Sequence, residues 1–265
     1  MMTIQMTLTT LTTAMKINQT EKKSVLIVLG AGSSSRMKGV KKEYAPFQTG
    51  TVLSTNILSF FKSADFDYVI VTYPFKEDSD LLKKEENLSK EAVFCDSQIQ
   101  PFLKSGTQFC FIPGSTTRQK SVFNALCKID SLFKNESPLI FIHDGARPFV
   151  TKKIILDCKK NAIEFGGAAP GIPPIDTQKQ IDSNNFIKKH LVRSKLISIQ
   201  TPQVFDFSLI YKAHKKADKS KKEFTDDTEI FDSFIKFKKV KIVEGDISNK
   251  KITFKDDLKD LNKEN

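Results

Sequence analysis

The chain has 265 residues, of which 39% are hydrophobic, and it carries a formal net charge of +11 at pH 7. This length and composition predict a folded domain with a buried core and exclude an intrinsically disordered chain. No apolar run approaches the roughly 18 residues that a membrane span needs, so we expect no membrane partner.

The first 24 residues are rich in Thr and Met and poor in acidic residues. They contain no compact apolar core followed by a cleavage site, so the segment does not have the pattern of a secretory signal. We therefore predict a disordered N-terminal extension over residues 1–24, with a start site at Met15 or a transit peptide as alternatives, and a single domain over residues 25–265.

Strand-like and helix-like segments alternate after residue 24. Apolar runs predict strands over residues 25–29, 68–72, 109–112, 139–142 and 168–172. Helix-spaced apolar residues predict helices over 52–61, 119–128 and 152–165, and the charged residues 76–106 predict a helical or loop excursion. This alternation predicts an α/β fold of the Rossmann-like type, a mostly parallel sheet with helices on both faces.

Residues 173–196 break this rhythm. Two short alternating stretches, 177–181 and 186–191, flank Asp-Ser-Asn-Asn, which is a hairpin pattern. We expect a β-hairpin arm that projects from the sheet and pairs with a second copy, giving a homodimer. The chain then resembles a last strand over 240–243 and a last helix over 256–261.

The basic residues are mostly lysines, spread along the whole chain as solvated faces are. This distribution does not predict a nucleic-acid partner, which would need clustered basic residues with interleaved aromatic ones. Only four of the 42 basic residues are arginines. A planar, forked donor suits phosphates and carboxylates, so these four are candidate site residues: Arg36, Arg118, Arg147 and Arg193.

The four cysteines include no C-x-x-C pair and have no histidine cluster beside them. We interpret them as buried thiols in a reducing compartment, in keeping with a cytoplasmic location. They are Cys95, Cys110, Cys127 and Cys158.

A loop rich in Gly and Ser follows the first predicted strand. It runs Gly30-Ala31-Gly32-Ser33-Ser34-Ser35-Arg36, with Lys42 shortly after. Small residues at the end of a strand let backbone N–H groups approach a polyphosphate, and Arg36 and Lys42 add positive charge. The loop is neither a Walker A sequence nor a dinucleotide fingerprint, and a plain strand-to-helix turn is the alternative interpretation.

Two further motifs follow predicted strands. Gly114 to Ser121 contains small residues and Arg118, and either Thr116 or Thr117 is expected to cap the next helix. In His143-Asp144-Gly145-Ala146-Arg147, the carboxylate at the end of a parallel strand is well placed to organise Mg²⁺. We expect Arg147 to pair with a nearby carboxylate and His143 to make a hydrogen bond within the loop.

Together these motifs resemble the 2-C-methyl-D-erythritol 4-phosphate cytidylyltransferase family. Further matches, in the family's order, are Asp176-Thr177-Gln178-Lys179, Arg193, Gln200-Thr201-Pro202-Gln203-Val204-Phe205, Thr225-Asp226-Asp227 and Val243-Glu244-Gly245-Asp246 with Asn249 to Thr253. The resemblance spans about residues 25 to 261. It implies transfer of CMP from CTP to a sugar-alcohol phosphate, with Mg²⁺ or another divalent cation as cofactor.

The resemblance also implies roles for individual residues. Arg36 and Lys42 match the pair that stabilises the reacting phosphates. Gly32, Gly114, Ser121, Asp144 and Gly145 match positions around the nucleotide. From their places in the same loops, Ala31, Ser33 and Arg118 are further candidates for nucleotide binding, and Asp144, at the end of a strand, is the candidate metal ligand. Arg193 and Lys251 match residues that hold the phosphate of the second substrate, and Thr177 lies in the arm segment that helps close the site.

The alternative within the same superfamily is a ribitol-5-phosphate cytidylyltransferase, whose nucleotide loops are similar. Lys179 after Asp176-Thr177-Gln178 favours methylerythritol phosphate, because the ribitol enzymes tend to lack that lysine. The chain departs from the family pattern at Ser34, where glycine is usual, at Lys41, where proline is usual, and at 190–192, where Thr-Val-Asp is usual.

Overall fold

The computed structural model describes residues 22–32, 41–134, 136–220, 222–254 and 256–257. The predicted extension over 1–24 therefore lies almost wholly outside the described residues, as does most of the helix predicted over 256–261. The described part is built on one eight-stranded sheet, with two separate two-stranded hairpins.

The large sheet is mostly parallel, as the sequence predicts. Six of its strands run in the same direction. Four of these are neighbours, in the order β5-β4-β1-β6. One antiparallel strand separates β6 from β7, and β12 runs parallel to β7 on the other side. Their bounds are β1 Ser24–Leu29, β4 Tyr68–Tyr73, β5 Gln108–Pro113, β6 Leu139–Asp144, β7 Gly166–Ile172 and β12 Lys239–Glu244.

Helices cover both faces of the sheet, because side chains along each central strand point alternately to either side. Leu26 and Val28 of β1 pack with α1, α2 and α5, whereas Val25 and Ile27 pack with α4, α6 and α7. The helices are α1 Val52–Phe61, α2 Ser79–Phe94, α3 Gln100–Lys104, α4 Arg118–Phe133, α5 Lys152–Phe165, α6 Phe207–Lys219 and α7 Asp227–Phe234.

Two short strands run antiparallel to their neighbours: β11 Gln203–Asp206 lies between β6 and β7, and β10 Ser198–Ile199 pairs with β7 on the side away from β11. Neither strand is predicted from the sequence. Both are short, and their place depends on pairing with strands more than 20 residues away, which local patterns do not encode.

The arm predicted over 173–196 contains a β-hairpin, with strands β8 Lys179–Ile181 and β9 Ile187–His190 that are shorter than the predicted stretches. All seven residues of these strands are exposed. A second small hairpin, β2 Pro46–Phe47 with β3 Gly50–Thr51, leads into α1. In the described part of the chain, the excursion over 76–106 is mainly helical, with α2 and α3.

The interpretation of all four cysteines as buried thiols is wrong in part. Each is a free thiol, but only Cys158 is buried, while Cys110 is half-buried and Cys95 and Cys127 are exposed. Cys127 lies on the outer side of α4 and Cys95 at the end of α2, where neighbouring elements do not cover the side chain.

Among the described helices, none has the length and apolar character that crossing a bilayer requires.

Candidate active site

A cavity of about 660 Å³ opens at the carboxyl ends of the parallel strands, where ligands bind in open α/β sheets. It is bordered by the residues that follow β1, β4, β5 and β6 and by the segment after β12. Its lining comprises Leu29, Ala31, Gly32, Lys41, Lys42, Glu43, Thr72, Pro74, Phe75, Lys76, Ser115, Thr116, Thr117, Arg118, Ser121, Asp144, Gly145, Ala146 and Lys251.

Backbone contacts hold the floor of this cavity together. The N–H of Gly114 donates to the carbonyl of Tyr73 over 2.8 Å, and the N–H of Gly145 donates to the carbonyl of Leu29 over 3.0 Å. A Cβ at Gly114 would lie 2.4 Å from the Cβ of Ala31, and one at Gly145 would lie 2.8 Å from the Leu29 oxygen. Neither position has room for a side chain, which explains the small residues that the sequence shows there.

Ser121 fixes the loop before α4 from within. The N–H of Ser115 donates to Ser121 Oγ over 2.9 Å, and that hydroxyl donates to the carbonyl of Thr117 over 2.9 Å. Thr117, and not Thr116, caps α4 by accepting from the N–H of Lys120. The two expectations for this motif, a cap and a binding loop, are therefore compatible in the structure.

The Asp144 carboxylate lies at the centre of the cavity wall, where three cations approach it. Lys251 Nζ is 2.9 Å from Oδ2, Arg147 Nε is 3.4 Å from Oδ2, and Arg118 Nε is 3.5 Å from Oδ1. Burial alone would raise the pKa of Asp144, but the charges of Arg118, Lys251 and Arg147 outweigh it and hold the pKa far below its usual range. Asp144 is thus ionised at neutral pH.

Asp144 and Arg147 are themselves held by buried groups. The Asn56 side-chain amide donates to the carbonyls of both residues, at 3.1 Å each. Arg147 Nη1 donates to the carbonyl of Asn249 over 2.7 Å. The expected pairing of Arg147 with a carboxylate is confirmed, and the partner is Asp144.

His143 is fully buried and makes two hydrogen bonds, as the sequence analysis expects of a structural role. Its Nε2 donates to the carbonyl of Arg147 over 3.1 Å, and its Nδ1 lies 2.9 Å from the hydroxyl of Thr201. The Thr201 oxygen also accepts from the N–H of Asp144. Burial lowers the pKa of His143 to about 4, so the ring is neutral at physiological pH.

A second buried carboxylate, Asp227 at the start of α7, anchors the far end of Arg118. Arg118 Nη1 lies 2.7 Å from Asp227 Oδ2, and His214 Nε2 lies 3.0 Å from Oδ1. Burial alone would raise the pKa of Asp227, but the Arg118 charge and the His214 hydrogen bond outweigh it and lower the pKa. The N–H of Asp227 donates to Gln203 Oε1 over 3.0 Å.

Most of the predicted site residues that the structure describes meet at this cavity. Ala31, Gly32, Lys42, Arg118, Ser121, Asp144, Gly145 and Lys251 line it, and Gly114 lies directly beneath. Arg36 and Ser33 lie outside the described residues. Arg193 and Thr177 do not line the cavity: both are exposed at the base of the arm, where Arg193 Nη1 donates to the carbonyl of Ile175 over 2.8 Å.

Several residues of the site have no role in the sequence analysis. Asn56, Thr201 and Gln203 act through hydrogen bonds to the cavity loops, and Asp227 and His214 act through Arg118. Gln203 and Asp227 lie in motifs that carry the family resemblance, and that resemblance is the one feature of the sequence that could have identified them. Asn56 lies in a helix that is buried almost all round and His214 in an amphipathic one, and nothing in the local pattern distinguishes either residue.

The side chains at the cavity can be compared with the ligands that a divalent cation needs. Among the described residues, no three His, Cys, Asp or Glu side chains gather as a metal-binding group. Two carboxylates of the described residues line the cavity, those of Asp144 and Glu43. Oδ1 of Asp144 has only the 3.5 Å contact with Arg118. Mg²⁺ commonly binds through one or two carboxylates together with substrate phosphates and water. The residues therefore fit a cation held mainly by a nucleotide, not a cation held by the protein alone.

Comparison with known proteins gives a consistent result over nearly the whole chain. Residues 24–262 match the family model described as IspD, 2-C-methyl-D-erythritol 4-phosphate cytidylyltransferase. The protein of that name from Clostridium beijerinckii is 39% identical over 233 residues, which cover 88% of this chain and 93% of that one. The one from Caldanaerobacter subterraneus is 36% identical over 234 residues, 88% of this chain and 94% of that one.

Solved structures agree with the sequence matches. The crystal structure of 4-diphosphocytidyl-2C-methyl-D-erythritol synthase from Anaerococcus prevotii superposes with a TM-score of 0.70 at 28% identity, covering 92% of this chain and 96% of that one. The Thermus thermophilus 2-C-methyl-D-erythritol 4-phosphate cytidylyltransferase gives a TM-score of 0.63 at 25% identity, covering 91% and 96%. The fold, the cavity and these matches together make the chain a member of the 2-C-methyl-D-erythritol 4-phosphate cytidylyltransferase family.

Proposed function

We propose that the protein transfers CMP from CTP to 2-C-methyl-D-erythritol 4-phosphate, giving 4-diphosphocytidyl-2-C-methyl-D-erythritol and pyrophosphate in non-mevalonate isoprenoid biosynthesis. The observation that carries the proposal is the meeting of Arg118 and Lys251 at Asp144, with Lys42 lining the same cavity of nucleotide size, in a chain of this family. Two polyanions need such a concentration of fixed positive charge in order to react.

In the proposed reaction a phosphate oxygen of the sugar alcohol attacks the α-phosphorus of CTP. A new O–P bond forms as the bond between the α-phosphorus and the bridging oxygen breaks, and pyrophosphate leaves with the electron pair. A phosphate monoester has its second pKa near about 6 and is largely dianionic at neutral pH, so no general base is required. This agrees with a neutral, fully buried His143 that is held by two hydrogen bonds.

Lys42 and Arg36 are proposed to stabilise the charge that builds on the reacting phosphates. Lys42 lines the cavity beside the end of β1, in the turn Lys42–Tyr44. The ribose and base are proposed to contact the loops from Ala31 to Ser33 and from Gly114 to Ser121, together with Asp144 and Gly145. Buried polar contacts of this kind support a preference for CTP over other nucleotides.

Asp144 is proposed to hold Mg²⁺ or another divalent cation together with the triphosphate. Bound there, the ion would supply positive charge that neutralises phosphate oxygens. The protein's part is to keep Asp144 ionised and oriented, which the three neighbouring cations and the Thr201 hydroxyl support.

The second substrate is proposed to bind through Arg193, Lys251 and Thr177. Lys251 belongs to the cavity wall, whereas Arg193 and Thr177 are exposed at the base of the arm. The proposal therefore needs the arm to approach a cavity, and we propose a homodimer formed through the arms, in which the arm of one subunit helps to close a site. Its support is the exposed apolar side chains of the arm: Ile175, Ile181, Phe186, Ile187 and Val192.

We further propose a cytoplasmic enzyme whose partners are CTP and the sugar-alcohol phosphate, without nucleic acid. Support comes from free thiols, two of them exposed, which suit a reducing compartment. Absence of any salt-sensitive shift of random duplex in a gel would agree with this, and a shift at physiological salt would contradict it.

Pyrophosphate release tests the function directly. The purified protein is incubated with Mg²⁺, with CTP, UTP or ATP, and with methylerythritol 4-phosphate or ribitol 5-phosphate. We expect release with CTP and methylerythritol 4-phosphate at a much higher kcat/KM than with any other pair. Preferred use of ribitol 5-phosphate would identify the alternative activity, and equal use of ATP or UTP would remove the proposed recognition of cytosine.

A further inference from the structure

The buried ion-pair chain that leads away from the cavity through Arg118 is not needed by the reaction as described. It runs from Asp144 to Arg118, then to Asp227 and finally to His214. Asp227 and His214 are both fully buried and neither lines the cavity. We propose that Asp227 and His214 are positioning residues for nucleotide binding, which hold Arg118 away from Asp144. This inference rests on the proposed function.

The distances show which carboxylate holds Arg118. Its Nη1 is 2.7 Å from Asp227 Oδ2, whereas its Nε is 3.5 Å from Asp144 Oδ1, so the ion pair with Asp227 is the closer of the two. Arg118 is therefore anchored at its far end and only approaches Asp144. A guanidinium without that anchor prefers a bidentate, fork-like pairing with a carboxylate. Asp144 and Asp226 both act on Arg118, but both oxygens of Asp226 already accept hydrogen bonds from Gln203 and Thr228.

Collapse of Arg118 onto Asp144 would matter because Oδ1 is the less occupied oxygen of that carboxylate. Lys251 and Arg147 both approach Oδ2. If Arg118 also closed on Oδ1, the carboxylate would be neutralised by the protein, and the guanidinium would be withdrawn from a nucleotide. Asp227 thus keeps both charges available to the ligand by competing for Arg118.

His214 completes the anchor from the side opposite Arg118. It lies on α6, and its Nε2 donates to Asp227 Oδ1, so the two oxygens of Asp227 each have one partner side chain. The His214 ring lies parallel to that of Phe123 on α4, at 6.5 Å between centroids. With Gln203 accepting from its backbone N–H, Asp227 is fixed from β11, α4 and α6 together. This fixed position is what allows it to hold an arginine at the cavity.

The test compares three variants in calorimetric titrations with CTP and in steady-state kinetics with both substrates. Asp227→Asn removes the charge and keeps the shape, His214→Phe removes the donor and keeps a ring, and His214→Gln restores a donor. We expect Asp227→Asn to raise the Kd and KM for CTP by about 10- to 100-fold, with the KM for the sugar phosphate unchanged. His214→Phe should act in the same direction, and His214→Gln should recover most of the loss. Asp232→Asn, on the exposed side of α7 and paired with Lys239, is the matched control.

A double-mutant cycle separates positioning from a structural role. In an Arg118→Ala background, Asp227→Asn should have no further effect on CTP affinity, because the residue that it positions is gone. The inference is overturned if the two effects add, or if Asp227→Asn lowers the melting temperature while the folded protein binds CTP as the wild type does. A wild-type protein that neither binds CTP nor releases pyrophosphate would overturn the proposed function as well, so the two failures are distinguishable.

Discussion

The wall of the cavity around Asp144 and the hairpin arm differ in how far their side chains have partners within the chain. Around Asp144 nearly every charge has a partner within the same chain, and side chains from β6, α1 and the segment after β12 meet at short distances. The arm has hydrogen bonds within its hairpin but exposes its large apolar side chains, with Phe186 71% exposed. Among the described residues, the first region is held by contacts within a single chain, whereas the second has apolar surface that folding of this chain leaves uncovered.

This difference divides the proposed substrate site between the two regions. Lys251 belongs to the first region because it pairs with Asp144, and Arg193 belongs to the arm. In the proposed mechanism, residues of one chain bind the nucleotide, while binding of the sugar phosphate also depends on what covers the arm. The predictions that follow test this division, beginning with the largest expected effect.

Lys42→Ala should lower the rate of cytidylyl transfer by two or more orders of magnitude, since removal of one preorganised charge donor costs about 3 kcal/mol of transition-state stabilisation. Arg36→Lys should have an effect of the same size. Turnover is measured by pyrophosphate release at saturating substrates. The control is Lys120→Ala, a nearby lysine that pairs with Asp218 outside the cavity lining. Normal turnover of Lys42→Ala would show that the Lys42 charge at the cavity takes no part in the reaction.

His143→Gln should change the pH dependence of stability. Burial lowers the pKa of His143 to about 4 from its ordinary 6.5, so between these values the unfolded chain binds a proton that the folded protein does not. The free energy of unfolding therefore falls as pH drops from about 6.5 to about 4, by about 3 kcal/mol from this residue. Urea titrations across that range should show the variant losing less stability than the wild type. An equal loss in both proteins would contradict the prediction; His190→Gln, at an exposed position in the arm, is the matched control.

Arg193→Ala should raise the KM for the sugar phosphate by roughly 10- to 100-fold, as expected for a lost hydrogen bond to a charged group, and leave the affinity for CTP unchanged. For Lys251→Ala the sequence alone predicts the same selectivity. The contact between Lys251 and Asp144 changes that expectation: Lys251→Ala should weaken the binding of both CTP and the sugar phosphate. Calorimetry with CTP and kinetics in both substrates measure the effects. If both variants spared CTP, the division between the two regions would lie elsewhere.

Phe186→Ser with Ile187→Ser should weaken the proposed dimer, with a Kd at least about tenfold higher, because anchoring apolar residues commonly contribute more than about 1.4 kcal/mol each. Sedimentation at several protein concentrations measures it. Phe237→Ser, an equally exposed position outside the arm, is the control. A monomeric wild type would show that the arm is covered by something other than a second copy.

The sequence predicts the central framework well, because its strands and helices are encoded by local periodicity. The helices over 52–61 and 152–165 have the predicted bounds, and the predicted mostly parallel sheet is confirmed. Patterns of two to four residues fail, as with β2, β3, β10 and β11, since so short a run has no periodicity of its own; β10 and β11 also pair with distant strands. The spacing of the cysteines does not reveal their burial: Cys127 lies on the outward side of an amphipathic helix.

For the site, the sequence identifies the loops but not the connections between them. The position of Asp144 after a strand and the small residues at Gly114 and Gly145 are readable from the chain. The distances that give Asp144 three cations arise from the meeting of segments up to 107 residues apart, which spacing cannot express. Arg193 illustrates the reverse: its motif suggests a place at the crevice, yet the structure of one chain has it at the base of the arm.

The segment after β12 closes over the loop that follows β6. The N–H of Ile252 donates to the carbonyl of Ala146 over 2.8 Å, and the carbonyl of Asn249 accepts from Arg147. Contacts between such distant parts form late, because a long loop must close before they stabilise anything. A chain that ends before Asn249 lacks both of these contacts and the Lys251 charge beside Asp144. The last strand of the large sheet ends at Glu244, so the residues that complete the cavity wall are synthesised only after every strand of that sheet.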